Sequence, residues 1–334
     1  MSYPQSPPLP PHLQLVVDAV EEPWPETLGM HDVAEVVAGL AAGLEAPSRA
    51  VPSGSPVLVD SFSLRKALQC PASLDAGETP EPPFSWSPHT SARWLGMRAL
   101  ESFVSSQVGD LSTGVMAAAA GLGSEGREAE GHLWGPPLWL RDQATGADRA
   151  AALASARQWA EQAAQWVPWD RWRDSRHRLR FDPARRAWPG KRSPVTVKAR
   201  WEADLRPFPD SRSRVQILLL GVAPGGPEAD ALVRFAALGG WLSEPRAGHG
   251  PERVVGVYPA SGEVASYAVD RLLLDRAVDE VVAAATTLVE AIRGHDLAAV
   301  PGPRCVWCPR SDGCEAGSTW MGRPDRRVAG IPVG

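Results

Sequence analysis

Three of the four cysteines stand within ten residues, as Cys305, Cys308 and Cys314 in a C-x2-C-x5-C arrangement, while Cys70 lies 234 intervening residues upstream, directly before Pro71. This spacing constrains the fold more than any other feature, because thiols that act together must meet, and one of these comes from the far side of the chain. Four cysteines in 334 residues are too few for a secreted disulfide scaffold. Catalytic thiol–disulfide exchange by Cys305 and Cys308 would want the C-x-x-C at the start of a helix after a strand, a setting this sequence does not offer. Four thiolates satisfy tetrahedral zinc, yet zinc ribbons usually join two C-x-x-C knuckles, and here one ligand is solitary. Three clustered thiolates and one remote thiolate suit a 4Fe–4S cubane, in which each iron takes one external sulfur. The spacing favours iron–sulfur, with zinc, or no metal at all, as the alternatives.

Charge is distributed unevenly. The net charge is −5, and only Lys66, Lys191 and Lys198 among the 34 basic residues are lysines. Between Arg171 and Arg214 stand 14 basic residues against 5 acidic ones, so the rest of the chain is strongly acidic. Within this belt Arg171, Arg173, Arg176, Arg178, Arg180, Arg185, Arg186, Lys191, Arg192, Lys198 and Arg200 are candidate phosphate contacts, since guanidinium pairs bidentately with phosphate and is weakly hydrated. A solvated arginine-rich surface, or docking on an acidic partner, is the competing reading. Trp169, Trp172, Trp188 and Trp201 interleave with the cations and could stack bases, although for each of them core packing is the stronger expectation.

Hydrophobic periodicity organises the chain. Residues 1–12 are Pro-rich, 13–44 are helix-compatible and 46–56 read as a linker. Helices are expected over 61–70, 91–104, 148–166, 228–242 and 269–292, with a weaker Ala-rich one near Val115. Strands are expected over 194–205 and 214–222, forming a hairpin, and over 252–258 and 263–269. The reading divides the chain into a Pro-rich and helical extension at 1–56, a main domain at 57–320 and a tail at 321–334. No stretch approaches 18 consecutive apolar residues, and the opening MSYPQSPPLPPH has no basic or apolar signal region, so neither a membrane span nor export is expected. Reduced thiolates without an export signal point to the cytoplasm.

The segments SFSLRKALQCP and CVWCPRSDGC, with WLGMRALESF, the hairpin and the helix before the cysteines, resemble the iron–sulfur branch of the PD-(D/E)XK nucleases, the RecB/AddB-like and CRISPR-associated RecB-like exonucleases. The resemblance spans about residues 57 to 320. It implies an α/β restriction-endonuclease-like core, a mixed central sheet flanked by helices, with Cys70, Cys305, Cys308 and Cys314 holding a 4Fe–4S cluster that staples the chain ends together. It also implies carboxylates on a helix and a hairpin that hold Mg²⁺ or Mn²⁺, and a lysine beside the attacking water.

Against that pattern the catalytic set is incomplete. Gly96 and Leu100-Glu101 match the helix motif, but no His stands between Met97 and Phe103, and His89 precedes the expected helix. Ala199-Arg200-Trp201-Glu202 fits the Gly-Arg-Ile-Asp motif, so Glu202 or Asp204 could supply a metal ligand. Alternation along one strand would instead place Lys198, Arg200, Glu202 and Asp204 in a surface ion-pair row. Where the family carries Asp-Tyr-Lys-Thr-Gly, this chain offers Val215-Gln216-Ile217-Leu218-Leu219-Leu220-Gly221, with no acid and no Lys, an apolar run that suits a buried central strand. The reading that follows is a catalytically inactive, nuclease-like DNA-binding or scaffold subunit in repair or phage defence, with single strands or ends as its DNA and a helicase or defence-complex subunit as a possible partner. The alternatives are an active metal-dependent nuclease using Glu101, Glu202 and Asp204 in a shifted arrangement, and a zinc-stapled interaction module.

Overall fold

The computed structural model describes residues 9–22, 28–74, 86–121, 135–172, 177–181, 188–190, 193–207, 214–243, 250–308, 310 and 313–322. The expectations for 1–8 and for 323–334 lie outside these residues.

A five-stranded mixed sheet organises the molecule. Its strands are β2 (His177–Phe181), β4 (Ala203–Pro207), β5 (Val215–Leu219), β6 (Arg253–Tyr258) and β7 (Glu263–Ala268), in that spatial order. The β5–β6 pair is parallel and the other three pairs are antiparallel. A second, two-stranded parallel sheet joins β1 (Val57–Val59) to β3 (Val195–Val197). The apolar run expected to be a buried central strand is β5, paired on both sides, with Val215, Gln216, Ile217 and Leu218 all buried.

Period-two alternation gives each face of the sheet its own core. Ala203, Leu205, Val215, Ile217, Val255 and Val257 pack with Val16, Val17 and Val20 of α1 (Pro11–Glu21), with Met97 and Leu100 of α4 (Pro88–Val104), and with Ala163 of α7 (Gly146–Trp166). Leu218, Leu220, Val254 and Tyr258 pack on the opposite side against α8 (Pro227–Ser243) and α9 (Arg271–Ile292). Helix α8 is the crossover between the parallel strands β5 and β6, which no hairpin could join. A satellite core under α4 and α7 includes α5 (Leu111–Ala119) and α6 (Pro136–Asp142).

Three sequence expectations need correction. The helical stretch at 13–44 is two helices, α1 and α2 (Met30–Ala50), and α2 runs through Pro47 into the segment read as a linker. Leu40 and Leu44 of α2 are buried in the cluster that includes α9, and this packing outweighs the local penalty of the proline. The strand expected over 194–205 is two strands, β3 and β4, in different sheets. Between them the chain turns Ala199 onto α8, so closely that a Cβ on Gly239 would lie 2.2 Å from the Ala199 Cβ. Finally, α4 begins at Pro88 with Ser87 as its cap, which puts the exposed His89 inside the first turn rather than before the helix. Among the described residues no helix is long and apolar enough to cross a membrane.

Candidate site: arginine-capped carboxylates and a cysteine joint

The break between β3 and β4 removes the surface row expected of Lys198, Arg200, Glu202 and Asp204. Arg200 is exposed before β4 begins, whereas Glu202 and Asp204 are 3% and 1% exposed. The backbone bends at Glu202, whose N–H donates to the Ile217 carbonyl at 3.0 Å. Its side chain accepts the Leu219 N–H at 2.8 Å and is closed by an ion pair with Arg93 of α4.

Asp204 takes a different environment. It accepts Trp201 Nε1–H at 2.7 Å and Arg214 Nε–H at 3.0 Å, with both charged side chains almost completely buried. The Arg214 guanidinium lies 5.4 Å from the Trp201 ring centroid, an aromatic contact that replaces part of its lost hydration. Next to this pair on the neighbouring strand, the wholly buried Gln216 side-chain amide has no hydrogen-bond partner among the described residues.

Glu101 is the third candidate acid. Arg98, one turn earlier on α4, reaches it at 2.6 Å, and the Arg98 guanidinium lies 5.7 Å from the Trp94 ring. Each of the three carboxylates read from the sequence as a metal ligand is therefore engaged by an arginine: Glu101 by Arg98, Glu202 by Arg93 and Asp204 by Arg214. Among the described residues no three His, Cys, Asp or Glu side chains converge on one ion.

The basic belt is only partly a surface. Arg171 is half exposed and pairs with Glu21 at 2.9 Å, Arg180 and Arg200 are exposed, and Lys198 is half-buried. Arg214, which closes the belt in sequence, is interior. Trp169, Trp172 and Trp201 are buried at 3%, 0% and 1% exposure, so these three are core residues and not stacking platforms; Trp188 is partly buried against the core. Arg173, Arg176, Arg185, Arg186, Lys191 and Arg192 lie outside the described residues, as does the side chain of Arg178. A cavity of about 640 Å³, bordered by Leu13, Phe103, Val104, Val167 and Trp169, lies at the ends of α1, α4 and α7, and none of the three acids lines it.

The cysteines do come to one region. Cys70 caps α3 (Ser61–Gln69), whose start is held by Asp60, and the following turn is bound to the C-terminal segment. Ala72 N–H donates to the Ala298 carbonyl at 3.1 Å, Val300 N–H to Cys70 Sγ at 3.4 Å, and Arg310 to the Ala72 carbonyl at 2.7 Å. Glu228 of α8 adds a charge bridge, pairing with Arg65 of α3 and with Arg304, the neighbour of Cys305.

All four thiols are free and partly exposed. Backbone N–H groups point at three of the sulfurs: Val300 at Cys70, Gly302 at Cys305 (3.3 Å) and Gly317 at Cys314 (3.4 Å). A Cβ on Gly317 would stand 3.5 Å from the sulfurs of both Cys305 and Cys314, so the glycine leaves open a space that these two share. Soft donors with amide hydrogens aimed at sulfur are the donor chemistry of thiolate ligation, but among the described residues no three of these thiols gather as the ligand set of one ion.

Sequence reasoning did not find Arg93, Arg98 or Arg214 as partners of the acids. The Arg98–Glu101 spacing of three on one helix was a usable signal. Arg93 and Glu202, 109 residues apart, offered none.

No protein-family profile matches the chain, and no curated protein matches it. Among solved structures it is similar to one titled "Crystal structure of SSO0001", at 14% identity over 85% of this chain and 97% of that one, with a TM-score of 0.28. At that score the likeness carries no argument about fold or function. What stands on the structure is a mixed α/β protein with ten helices among its described residues.

Proposed function

We propose that the chain is a nuclease-like protein of the PD-(D/E)XK iron–sulfur type that has exchanged metal-dependent cleavage for nucleic-acid binding or scaffolding. One observation carries the reading. Each of the three carboxylates matched to the family's metal-binding positions, Glu101, Glu202 and Asp204, is engaged by a guanidinium. A metal would have to displace Arg93 from Glu202 or Arg214 from Asp204, and in the second case it would strand a buried guanidinium. The run from Val215 to Gly221, where the family carries an acid and a lysine, has neither, so the lysine that would position or activate the attacking water is lacking there.

In this reading Cys70, Cys305, Cys308 and Cys314 hold a 4Fe–4S cluster that acts as a structural tie. The N–H groups of Val300, Gly302 and Gly317 orient the sulfurs, and Glu228 draws the two cysteine-bearing segments together. Iron and acid-labile sulfide in anaerobically purified protein support the cluster; zinc in place of iron would replace it with the interaction-module reading.

The exposed Arg180 and Arg200 offer phosphate contacts, and a partner subunit remains compatible with the same surface. The test is incubation of the purified protein with labelled single- and double-stranded DNA in Mg²⁺ or Mn²⁺, with a binding measurement on the same DNA. Binding without cleavage is the expected result. Cleavage that disappears in Glu202→Ala would overturn the assignment.

A further inference from the structure

The Arg93–Glu202 pair differs in exposure from the surface pairs Arg157–Glu161 and Arg171–Glu21. In Arg157–Glu161 and Arg171–Glu21 both partners are about equally exposed, at 58% and 50% and at 45% and 45%. In Arg93–Glu202 the arginine side chain is 43% exposed and the acid 4%. The carboxylate accepts the Leu219 N–H through one oxygen and the Arg93 guanidinium through the other. A buried anion that holds a cation at the surface is the arrangement by which a protein fixes a metal ion, and here a side chain fills the role of the ion.

We propose that Arg93, oriented by Glu202, is a metal-independent anchor for one phosphodiester of a bound nucleic acid; this rests on the nucleic-acid-binding reading above. The guanidinium carries five N–H donors in a rigid fork, and its bond to Glu202 runs through Nη2, so one edge can hold the carboxylate while others meet a phosphate. Orientation by the acid matters because an ordinary surface arginine must give up rotamer freedom on binding, and this one has given it up on folding. The surroundings suit a chain of phosphates. His89, one helical turn before Arg93, is exposed, and Arg200, two residues before Glu202, is exposed. Glu202 becomes a positioning residue, which explains an acid kept buried at a site with no need of a divalent ion.

The test is fluorescence anisotropy of a labelled oligothymidine with the full chain, over a salt series, in EDTA and in Mg²⁺. Wild-type binding is expected to persist in EDTA and to be no stronger in Mg²⁺, which competes for the phosphates. Arg93→Ala is expected to weaken binding about tenfold and to flatten the slope of log affinity against log salt by about 0.7, the loss of one single-strand phosphate contact. Because Arg93→Ala strands a buried carboxylate, the paired variant Arg93→Ala/Glu202→Gln removes the cation without leaving that charge, and it should fold and show the same loss. If the paired variant binds as wild type does, or if EDTA abolishes wild-type binding, Arg93 is not the anchor, although the nucleic-acid reading survives. If the wild type binds no oligonucleotide at low salt, both readings fall.

Discussion

Asp204 and Arg214 show how a residue's chemistry is set by what surrounds it. In sequence they are an acid beside a strand and the last cation of a basic belt; in the fold they are a closed ion pair, with Trp201 donating to the same carboxylate. Desolvating both charges is expensive, and geometry recovers the loss only while both partners remain. Arg214→Met should therefore destabilise the protein by about 3–5 kcal/mol, read as a lower urea midpoint, because Asp204 would be left buried with little more than the indole N–H. The double change Arg214→Met/Asp204→Asn should recover much of that loss. If the single variant were as stable as wild type, the pair would not be a structural element of the core. The acids were legible as chemistry-bearing residues. Their partners were not, since an arginine reads the same in sequence whether it faces phosphate, solvent or a buried carboxylate.

At the scale of elements, α4 carries Glu101 and reaches Glu202 through Arg93, and its placement depends on small residues. A Cβ on Gly96 would lie 2.7 Å from the Ala156 carbonyl oxygen and 2.8 Å from the Trp159 ring, so α4 and α7 approach to backbone distance there. The facing side of α7 is a row of alanines, Ala152, Ala156, Ala160 and Ala163, all buried. Gly96→Ala should cost about 1–3 kcal/mol through overpacking, measurable as a fall in Tm, and should loosen the Arg93–Glu202 pair by shifting α4. Unchanged stability would mean that the helices separate without penalty. Gly96 was picked out in sequence as a motif match, and its physical reason is this close approach. Helices α4, α7, α8 and α9 and strands β5, β6 and β7 were readable because their apolar periods are long and their caps local: Ser87, Thr145 and Asp270 all accept N-terminal N–H groups. The split of 194–205 into two strands was not readable, since alternation continues across the break while the reason for it, Ala199 seated on Gly239, lies 40 residues further on.

Over the whole molecule, the cysteine joint closes the chain. The turn after Cys70 and the segment from Ala298 to Arg310 are held by backbone bonds, an arginine and the Glu228 bridge before any metal is considered. A cluster there would add a cross-link over more than two hundred residues, restricting chiefly the unfolded chain. Cys70→Ser should lower iron and sulfide content together, and should make the segment from 298 onward cleavable by protease at concentrations that leave wild type intact. Full iron content and unchanged protection would remove Cys70 from the ligand set. Helices α1 and α2, which lie within the extension that sequence analysis set apart at 1–56, take part in the cores: α1 packs on one face of the sheet, and α2 in the core shared with α9.

The sequence by itself determined the periodic elements, the buried central strand, the shortage of lysine and the grouping of three cysteines, because each is a local pattern of residue types. Tertiary structure decided which charges meet: Arg93 with Glu202, Arg214 with Asp204, and the Cys70 turn with the C-terminal loop. Those pairings rest on contacts between distant segments, and at such separations spacing carries no information about which arginine reaches which acid.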